Sequence, residues 1–153
     1  MKFVNYSSLK SREKRLMKKA FEAAKRSVTS AKHEVGCAIL DNEGNIFLGA
    51  TNARSRAIGS TCAERMAMDQ LYFQRGGAPI FLALVGRFNR KGWKESYICT
   101  PCGVCLEMFS EVMRDFQKRD FNFICPAWNK SKILKVSLSE LYPQIGKGDW
   151  ERL

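Results

Sequence analysis

Apolar residues near the start of the chain recur at helical spacing: Leu16, Met17, Ala20, Phe21, Ala24 and Val28. Lysine and arginine fill the other face of this stretch, which predicts an amphipathic helix over residues 8–28. The segment from Cys62 to Gln74 also shows helical periodicity, and Gly76 and Gly77 are expected to end it. A third helix is predicted over 103–117, where four apolar residues are nearly aligned: Val104, Met108, Val112 and Phe116.

Strand patterns occupy the segments between these helices. "EVGCAILD" and "NIFLGAT" flank a short loop containing Gly44 and predict a hairpin. "PIFLALVG" is apolar throughout, as in a strand covered on both faces. The remaining predicted elements are strands at 94–99, 121–126 and 132–137 and a short helix that ends at Pro143. This alternation predicts one α/β domain over residues 1–153, with three α/β/α layers around a central mixed sheet.

Composition restricts the compartment and the class of protein. Hydrophobic residues make up 45% of the chain, but the longest apolar run, "IFLALV", is far shorter than the roughly 20 residues of a membrane span. The first residues contain no apolar run typical of a signal peptide. We therefore expect a cytoplasmic protein without a membrane partner. In that compartment six cysteines indicate metal ligands or reactive thiols rather than disulfides.

The net charge of +11 is unevenly distributed. Residues 1–30 hold nine basic and two acidic side chains, or +7 of the total. Such a field attracts phosphates or anionic surfaces, although a solvated helix face is the simpler interpretation. The segment "RFNRKGWK" is a second basic stretch, in which Phe88 and Trp93 alternate with cations, a pattern typical of nucleic-acid contacts.

The cysteines at 62, 102 and 105 form the strongest chemical pattern. Cys102 and Cys105 in "TPCGVC" lie three residues apart at a predicted helix start and would share one face. Cys62 also lies at a predicted helix start, where the helix dipole favours a thiolate. If the two helix starts converge, three thiolates with one open position would be typical of a catalytic zinc. A closed site that includes Cys99, or a thiol cluster without metal, are the alternatives.

Glu64 determines what such a metal would do. It follows Cys62 by two residues and lies on a different face of the helix, so it need not bind the metal. A carboxylate beside a metal-activated water transfers protons during hydrolysis. The alternative is a first-turn carboxylate that only stabilises the helix dipole.

The segments "CAER" and "PCGVC" together resemble the cytidine deaminase family in its three-cysteine, zinc-dependent form, whose signature pairs a ligand-x-Glu segment with P-C-x-x-C. Similarity to the family extends through "VGCAIL", "EGNIFLGATN" and "SELYP", so it covers nearly the whole chain.

The resemblance implies specific roles for these residues. Zn²⁺ would be held by Cys62, Cys102 and Cys105, and Glu64 would carry a proton from the attacking water to the ring nitrogen and then to departing ammonia. Arg65 would donate to the thiolates and return positive charge to the site. Asn52 and Ala63 would contact the substrate, with Asn52 on the ribose. The resemblance also implies a homotetramer.

Two positions depart from the family pattern. Arg54 stands where the family has a ribose-binding Glu, and His33 stands where it has a Phe near the pyrimidine. Either residue contacts the substrate in a changed way or lies in solvent. The leading hypothesis is hydrolytic deamination of a cytidine or deoxycytidine nucleoside. Alternatives are a blasticidin-type or anionic nucleoside derivative, a polynucleotide substrate, and an inactive metal-binding regulator.

Overall fold

The structure, a computed structural model, describes residues 1–54, 59–118 and 120–142. Its elements, in chain order, are β1 (Lys2–Val4), a 3₁₀ turn (Tyr6–Ser8), α1 (Ser11–Ala24), β2 (Glu34–Asp41), β3 (Ile46–Ala50), α2 (Ala63–Phe73), β4 (Pro79–Arg87), α3 (Gly103–Asp115), β5 (Asn122–Pro126), β6 (Ile133–Ser137) and α4 (Leu138–Leu141). None of the described helices has the length and apolar character needed to span a membrane.

The six strands form one mixed sheet in the order β1-β6-β5-β4-β2-β3. β4 and β5 pair in parallel, and the other neighbours pair antiparallel. One apolar cluster joins α1 to one face of this sheet, and a second joins α2 and α3 to the other face. The predicted three-layer α/β/α architecture with a central mixed sheet is therefore confirmed.

Two glycines allow helices to lie very close to the sheet. A Cβ atom added at Gly36 in β2 would lie 2.2 Å from the carbonyl oxygen of Ala20 in α1. One added at Gly49 in β3 would lie 2.0 Å from the carbonyl oxygen of Ala63. Since no side chain fits in either place, these glycines fix how closely α1 and the first turn of α2 approach the sheet.

Several predicted boundaries differ from those in the structure. α1 is shorter than the predicted 8–28 because the chain enters it through the separate turn at Tyr6–Ser8. α2 ends at Phe73, and the chain reverses through a left-handed Arg75 (φ 54°) before it reaches Gly76. Pro143, the expected end of the last helix, lies outside the described residues.

Three further details of the sequence-based assignment were wrong. Residues 94–99 form no strand and contribute a single bridge, between Ile98 and Ala127. Val104 is 67% exposed, because the buried face of α3 runs instead through residues such as Phe109 and Met113. The edge strand β1 was not predicted, since three largely exposed residues carry too little alternation to be recognised.

Candidate active site

The site forms where α2 and α3 begin. Cys62 and Cys102 both occupy the N-cap position, with extended backbone. The carbonyl of Cys62 accepts the first helical hydrogen bond of α2 (3.1 Å), and the carbonyl of Cys102 does so in α3 (3.0 Å). The Cys62 Sγ lies 3.2 Å from the Cys105 Sγ, which lies 3.7 Å from the Cys102 Sγ. The structure thus brings the three predicted thiols together.

Glu64 lies directly beside these thiols. Its side chain is buried, at 5% exposure, in the first turn of α2. Its carboxylate and the sulfur atoms of Cys62 and Cys105 lie within 4.8 Å of one another. Cys102 is exposed and joins this group through its contact with Cys105. Two soft donors therefore lie beside one buried carboxylate, and a third lies next to one of them.

The side chains of Cys62, Cys105 and Glu64 have pKa values that are shifted in different directions. A hydrogen bond from the Cys105 thiol, helped by the backbone N–H of Arg65, lowers the pKa of Cys62 to about 6. The same bond, together with burial, raises the pKa of Cys105. Burial, and then the negative charge of Cys62, raise the pKa of Glu64 to about 7. One thiolate therefore forms near neutral pH beside a carboxyl group that exchanges its proton in the same range.

Three other cysteines lie near this group but differ chemically. Cys37 and Cys125 are fully buried, and burial raises the pKa of both thiols. Burial, followed by the charge of Glu64, raises the pKa of Cys99 to about 12. The Cys99 thiol packs against the backbone of β4, 2.9 Å from where a Cβ of Gly86 would lie.

Arg65 and Ala63 flank Glu64 in sequence. Arg65 is exposed, and its positive charge contributes to the lowered pKa of Cys62. Ala63 is completely buried, with its carbonyl against Gly49 of β3. The small side chain at position 63 therefore lets the start of α2 lie on the sheet and fixes the position of Glu64.

Asn52 has an unsatisfied polar atom. Its backbone exchanges two hydrogen bonds with Thr61, each 2.9 Å long, which ties the loop to the start of α2. Its side-chain Oδ1 is buried and has no hydrogen-bond partner among the described residues. Buried amide oxygens are rarely left unpaired in proteins, so a donor on a bound ligand would complete this site. Arg54 is exposed nearby, and its backbone N–H donates to the Ser60 hydroxyl (2.9 Å).

His33 belongs to a different group of contacts, beside the loop that follows β4. Its Nδ1 accepts a hydrogen bond from the backbone N–H of Asn89 (2.9 Å), and its ring lies 5.2 Å from that of Phe88. Phe88 packs against the same apolar cluster as Cys62 and Cys99. The accepting Nδ1 places the imidazole proton of neutral His33 on Nε2, the nitrogen left to donate to a ligand.

The sequence did not reveal how this loop is anchored. Arg87, the last residue of β4, forms ion pairs with Glu34 and Glu95, and its guanidinium lies over the ring of Trp128 at 4.7 Å. Trp93 packs on Phe88, with ring centroids 4.7 Å apart. Glu34 and Arg87 lie opposite each other because of the β2–β4 register, and this register cannot be predicted from local periodicity.

The donor set fits a zinc ion. Tetrahedral zinc binds thiolates at about 2.3 Å, which places two sulfurs roughly 3.8 Å apart. The Cys102–Cys105 separation of 3.7 Å matches this value, and the Cys62–Cys105 separation of 3.2 Å is slightly shorter. Thiols at two helix N-termini, one with a pKa lowered to about 6, are suited to bind as thiolates.

A buried carboxylate beside thiols that could hold a metal ion, on a three-layer α/β/α domain, is typical of the class of zinc-dependent hydrolytic deaminases. The family model described as the cytidine and deoxycytidylate deaminase zinc-binding region matches residues 10–117. The chain belongs to this family, and it is a hydrolase acting on C–N bonds in cyclic amidines.

Individual relatives agree with this assignment. A cytidine deaminase of Halalkalibacterium halodurans is 28% identical over 137 residues, which cover 84% of this chain and 89% of the relative. The crystal structure of a cytidine deaminase from Burkholderia pseudomallei has a TM-score of 0.68 at 22% identity, covering 88% and 98% of the two chains. One from Bacillus anthracis has a TM-score of 0.64 at 18% identity, covering 92% and 93%. The two structures support the fold.

Proposed function

We propose that the chain is a zinc-dependent deaminase that converts cytidine or deoxycytidine to the uridine form and releases ammonia. The observation that carries this proposal is the buried Glu64 carboxylate beside Cys62 and Cys105, in a chain of the deaminase family. Relatives named cytidine deaminase support the choice of substrate. The location that we expect is the cytoplasm.

Cys62, Cys102 and Cys105 would hold the zinc ion. When bound, zinc supplies Lewis-acid activation of the attacking water. Glu64 would take a proton from the attacking water and deliver it to the N3 atom of the pyrimidine as the water oxygen bonds to C4. It would then take the proton of the new C4 hydroxyl and pass it to the amino group, so that the C4–N bond breaks, ammonia leaves and the carbonyl forms at C4. A pKa near 7 suits Glu64 to both directions of transfer.

The remaining residues would position the substrate and adjust the charge of the site. Three thiolates on Zn²⁺ leave a net negative charge, which the guanidinium of Arg65 offsets. The unpaired Oδ1 of Asn52 would accept a hydrogen bond from a sugar hydroxyl. The backbone at Ala63 and the Nε2 of His33 would contact the pyrimidine side.

The substrate assignment is tested by ammonia release. Purified zinc-loaded protein is incubated with cytidine, deoxycytidine, free cytosine and an oligonucleotide, and both ammonia and the uracil product are measured. We expect turnover of at least one of the two nucleosides and little turnover of free cytosine, which lacks the sugar that Asn52 would bind. Activity on none of the four compounds would contradict the proposed function.

The ligand set is tested by metal analysis. We expect about one zinc ion per chain in the wild type and loss of most of it in Cys102→Ser. Cys99→Ser is the matched control, because it removes a neighbouring thiol that packs against β4 at Gly86. Full zinc content in Cys102→Ser, or loss of zinc in Cys99→Ser, would refute the assignment.

We also propose a homotetramer. Phe73 at the end of α2 is 85% exposed, and Val104 in the first turn of α3 is 67% exposed. Large apolar side chains exposed to this degree are typical of surfaces that pack against another chain. Light scattering should give the mass of a tetramer, and Val104→Asp should shift it to smaller species. A monomeric wild type would contradict this part of the proposal.

A further inference from the structure

A groove lined by cations and aromatic rings is formed by α1, the turn at Tyr6–Ser8 and the loop after β5. Its cavity volume is about 390 Å³, and its walls include Tyr6, Lys14, Phe21 and Lys130. The Nζ of Lys14 lies 5.2 Å from the ring centroid of Tyr6, and the Nζ of Lys130 lies 5.0 Å from that of Phe21. Positive charges and flat rings therefore alternate along the groove.

This alternation continues past the end of β4 towards the catalytic side of the sheet. The ring of Phe21 meets Trp128 at 5.4 Å, and the guanidinium of Arg87 covers Trp128 at 4.7 Å. Successive strand residues point to opposite faces, so Phe88 lies on the side of α2 and α3. There the guanidinium of Arg90 lies 5.5 Å from the Phe88 ring. A series of ring and cation contacts thus leads from the groove to the loop that contacts His33.

The charges along this path divide into two kinds. Arg87 is neutralised by Glu34 and Glu95, so it holds Trp128 and the loop in place. Within residues 1–54, 59–118 and 120–142, no carboxylate forms an ion pair with Lys14, Lys18, Arg90 or Lys130. These four cations are available to an external anion.

We propose that this surface binds single-stranded nucleic acid. We name it the cation–aromatic band and define it by Tyr6, Lys14, Phe21, Trp128, Lys130 and Arg90. Cations spaced along a groove neutralise successive phosphates, and rings between them offer faces for unpaired bases. A duplex hides its base faces, and a flat lipid surface does not enter a groove, so both fit the band less well. Binding does not depend on the proposed deaminase activity, because it requires no cytosine.

The first test uses an oligonucleotide that the catalytic site cannot deaminate. Fluorescence anisotropy is measured with labelled oligothymidylate of about 20 nucleotides, over a range of salt concentrations. An abasic oligomer with the same number of phosphates and a blunt DNA duplex serve as comparisons. We expect the abasic oligomer to bind about ten-fold more weakly, because base stacking on the rings is lost. We also expect affinity for oligothymidylate to fall steeply with salt.

The second test locates the surface. Arg90→Gln/Lys130→Gln removes one arginine and one lysine from the band. Arg114→Gln/Lys118→Gln removes one arginine and one lysine at the end of α3 and just beyond it, outside the band. We expect the first variant to bind oligothymidylate about ten-fold more weakly, with a salt slope reduced by about 1.4. The control should stay within about two-fold of wild type. Circular dichroism and thermal unfolding check that both variants are folded.

Three results would overturn the proposal. Equal losses in both variants would show that net charge, rather than the band, determines affinity. Equal binding of the abasic oligomer would remove the role of the rings. Binding to vesicles containing phosphatidylserine, without binding to oligothymidylate, would assign the surface to a membrane instead.

Discussion

The two ends of the central strands hold buried carboxylates in opposite states. At the hairpin end, Asp41 is 1% exposed and accepts hydrogen bonds from the backbone N–H groups of Glu43 (3.0 Å), Asn45 (2.7 Å) and Gly77 (2.9 Å) and from the Asn45 side chain. Burial raises the pKa of Asp41, but these bonds outweigh it and the net shift is downward. At the end where α2 and α3 begin, burial raises the pKa of Glu64 to about 7.

The difference separates a structural carboxylate from a reactive one. Asp41 has its lone pairs occupied by the protein, so it fixes the turn and has little capacity left for a ligand. The donors to Glu64, its own backbone N–H and the Cys105 thiol, lower its pKa less than burial raises it. Asn52, at the same end, holds a buried oxygen without a partner among the described residues. Unsatisfied polar groups cost stability, and where they cluster they indicate binding or catalysis.

The largest effect is expected from Glu64→Gln. The amide has nearly the same shape but cannot carry protons, so kcat should fall by a factor of about 10²–10⁴. Zinc content and thermal stability should be retained, because a buried carboxyl is replaced by a neutral group. Initial rates of ammonia release, together with metal analysis and a melting curve, check this. A variant that keeps a tenth of wild-type activity would remove Glu64 from the mechanism.

The converse substitution, Asp41→Asn, should affect folding and leave chemistry unchanged. The amide brings N–H donors toward backbone N–H groups that now donate to a carboxylate. We expect the free energy of unfolding to fall by about 3 kcal/mol, with kcat per folded molecule unchanged. Urea denaturation measures the loss, and Glu43→Gln, an exposed change in the same turn, is the matched control. Similar losses in both variants would contradict the special role of Asp41.

The elements that carry these two carboxylates could be predicted from the sequence. The long-range contacts that set the environment of each carboxylate could not, for a physical reason. Alternation of polar and apolar residues located the hairpin whose loop contains Gly44, and helical periodicity located the helix after Cys62, since both are local signals. The bond from the Gly77 N–H to Asp41 joins residues 36 positions apart and was not predictable from local pattern. The same holds for the loop after β4, whose position depends on the Asn89–His33 hydrogen bond.

The lowered pKa of Asp41 predicts that the free energy of unfolding decreases at low pH. The folded pKa lies below the unfolded value of about 3.9, so the unfolded chain binds more protons as pH falls. The stabilisation from this group is therefore complete above the unfolded pKa and is lost as pH falls through the folded pKa. The difference in unfolding free energy between wild type and Asp41→Asn should shrink as the pH falls from 7 to 2. Chemical denaturation across this range measures it, and a constant difference would contradict the assignment.

The smallest effect is expected at Arg54, which lies near Asn52 at the end of the sheet where α2 and α3 begin. Arginine has five donors and no acceptor, so it cannot accept from a ribose hydroxyl as the Glu of related enzymes would. It suits an anionic group near the sugar, and its exposed position limits that contact to about 1 kcal/mol, or roughly five-fold in affinity.

Arg54→Glu should therefore raise kcat/KM for cytidine and lower it for an analogue that carries a carboxylate or phosphate on the sugar. Arg54→Gln distinguishes charge from shape, because it should lose the anionic preference without gaining on cytidine. The backbone N–H of Arg54 donates to Ser60 whatever the side chain, so neither variant should alter the loop. Unchanged kcat/KM for both substrates in both variants would show that Arg54 does not contact the substrate. The selectivity of this end of the molecule would then rest on Asn52 and His33.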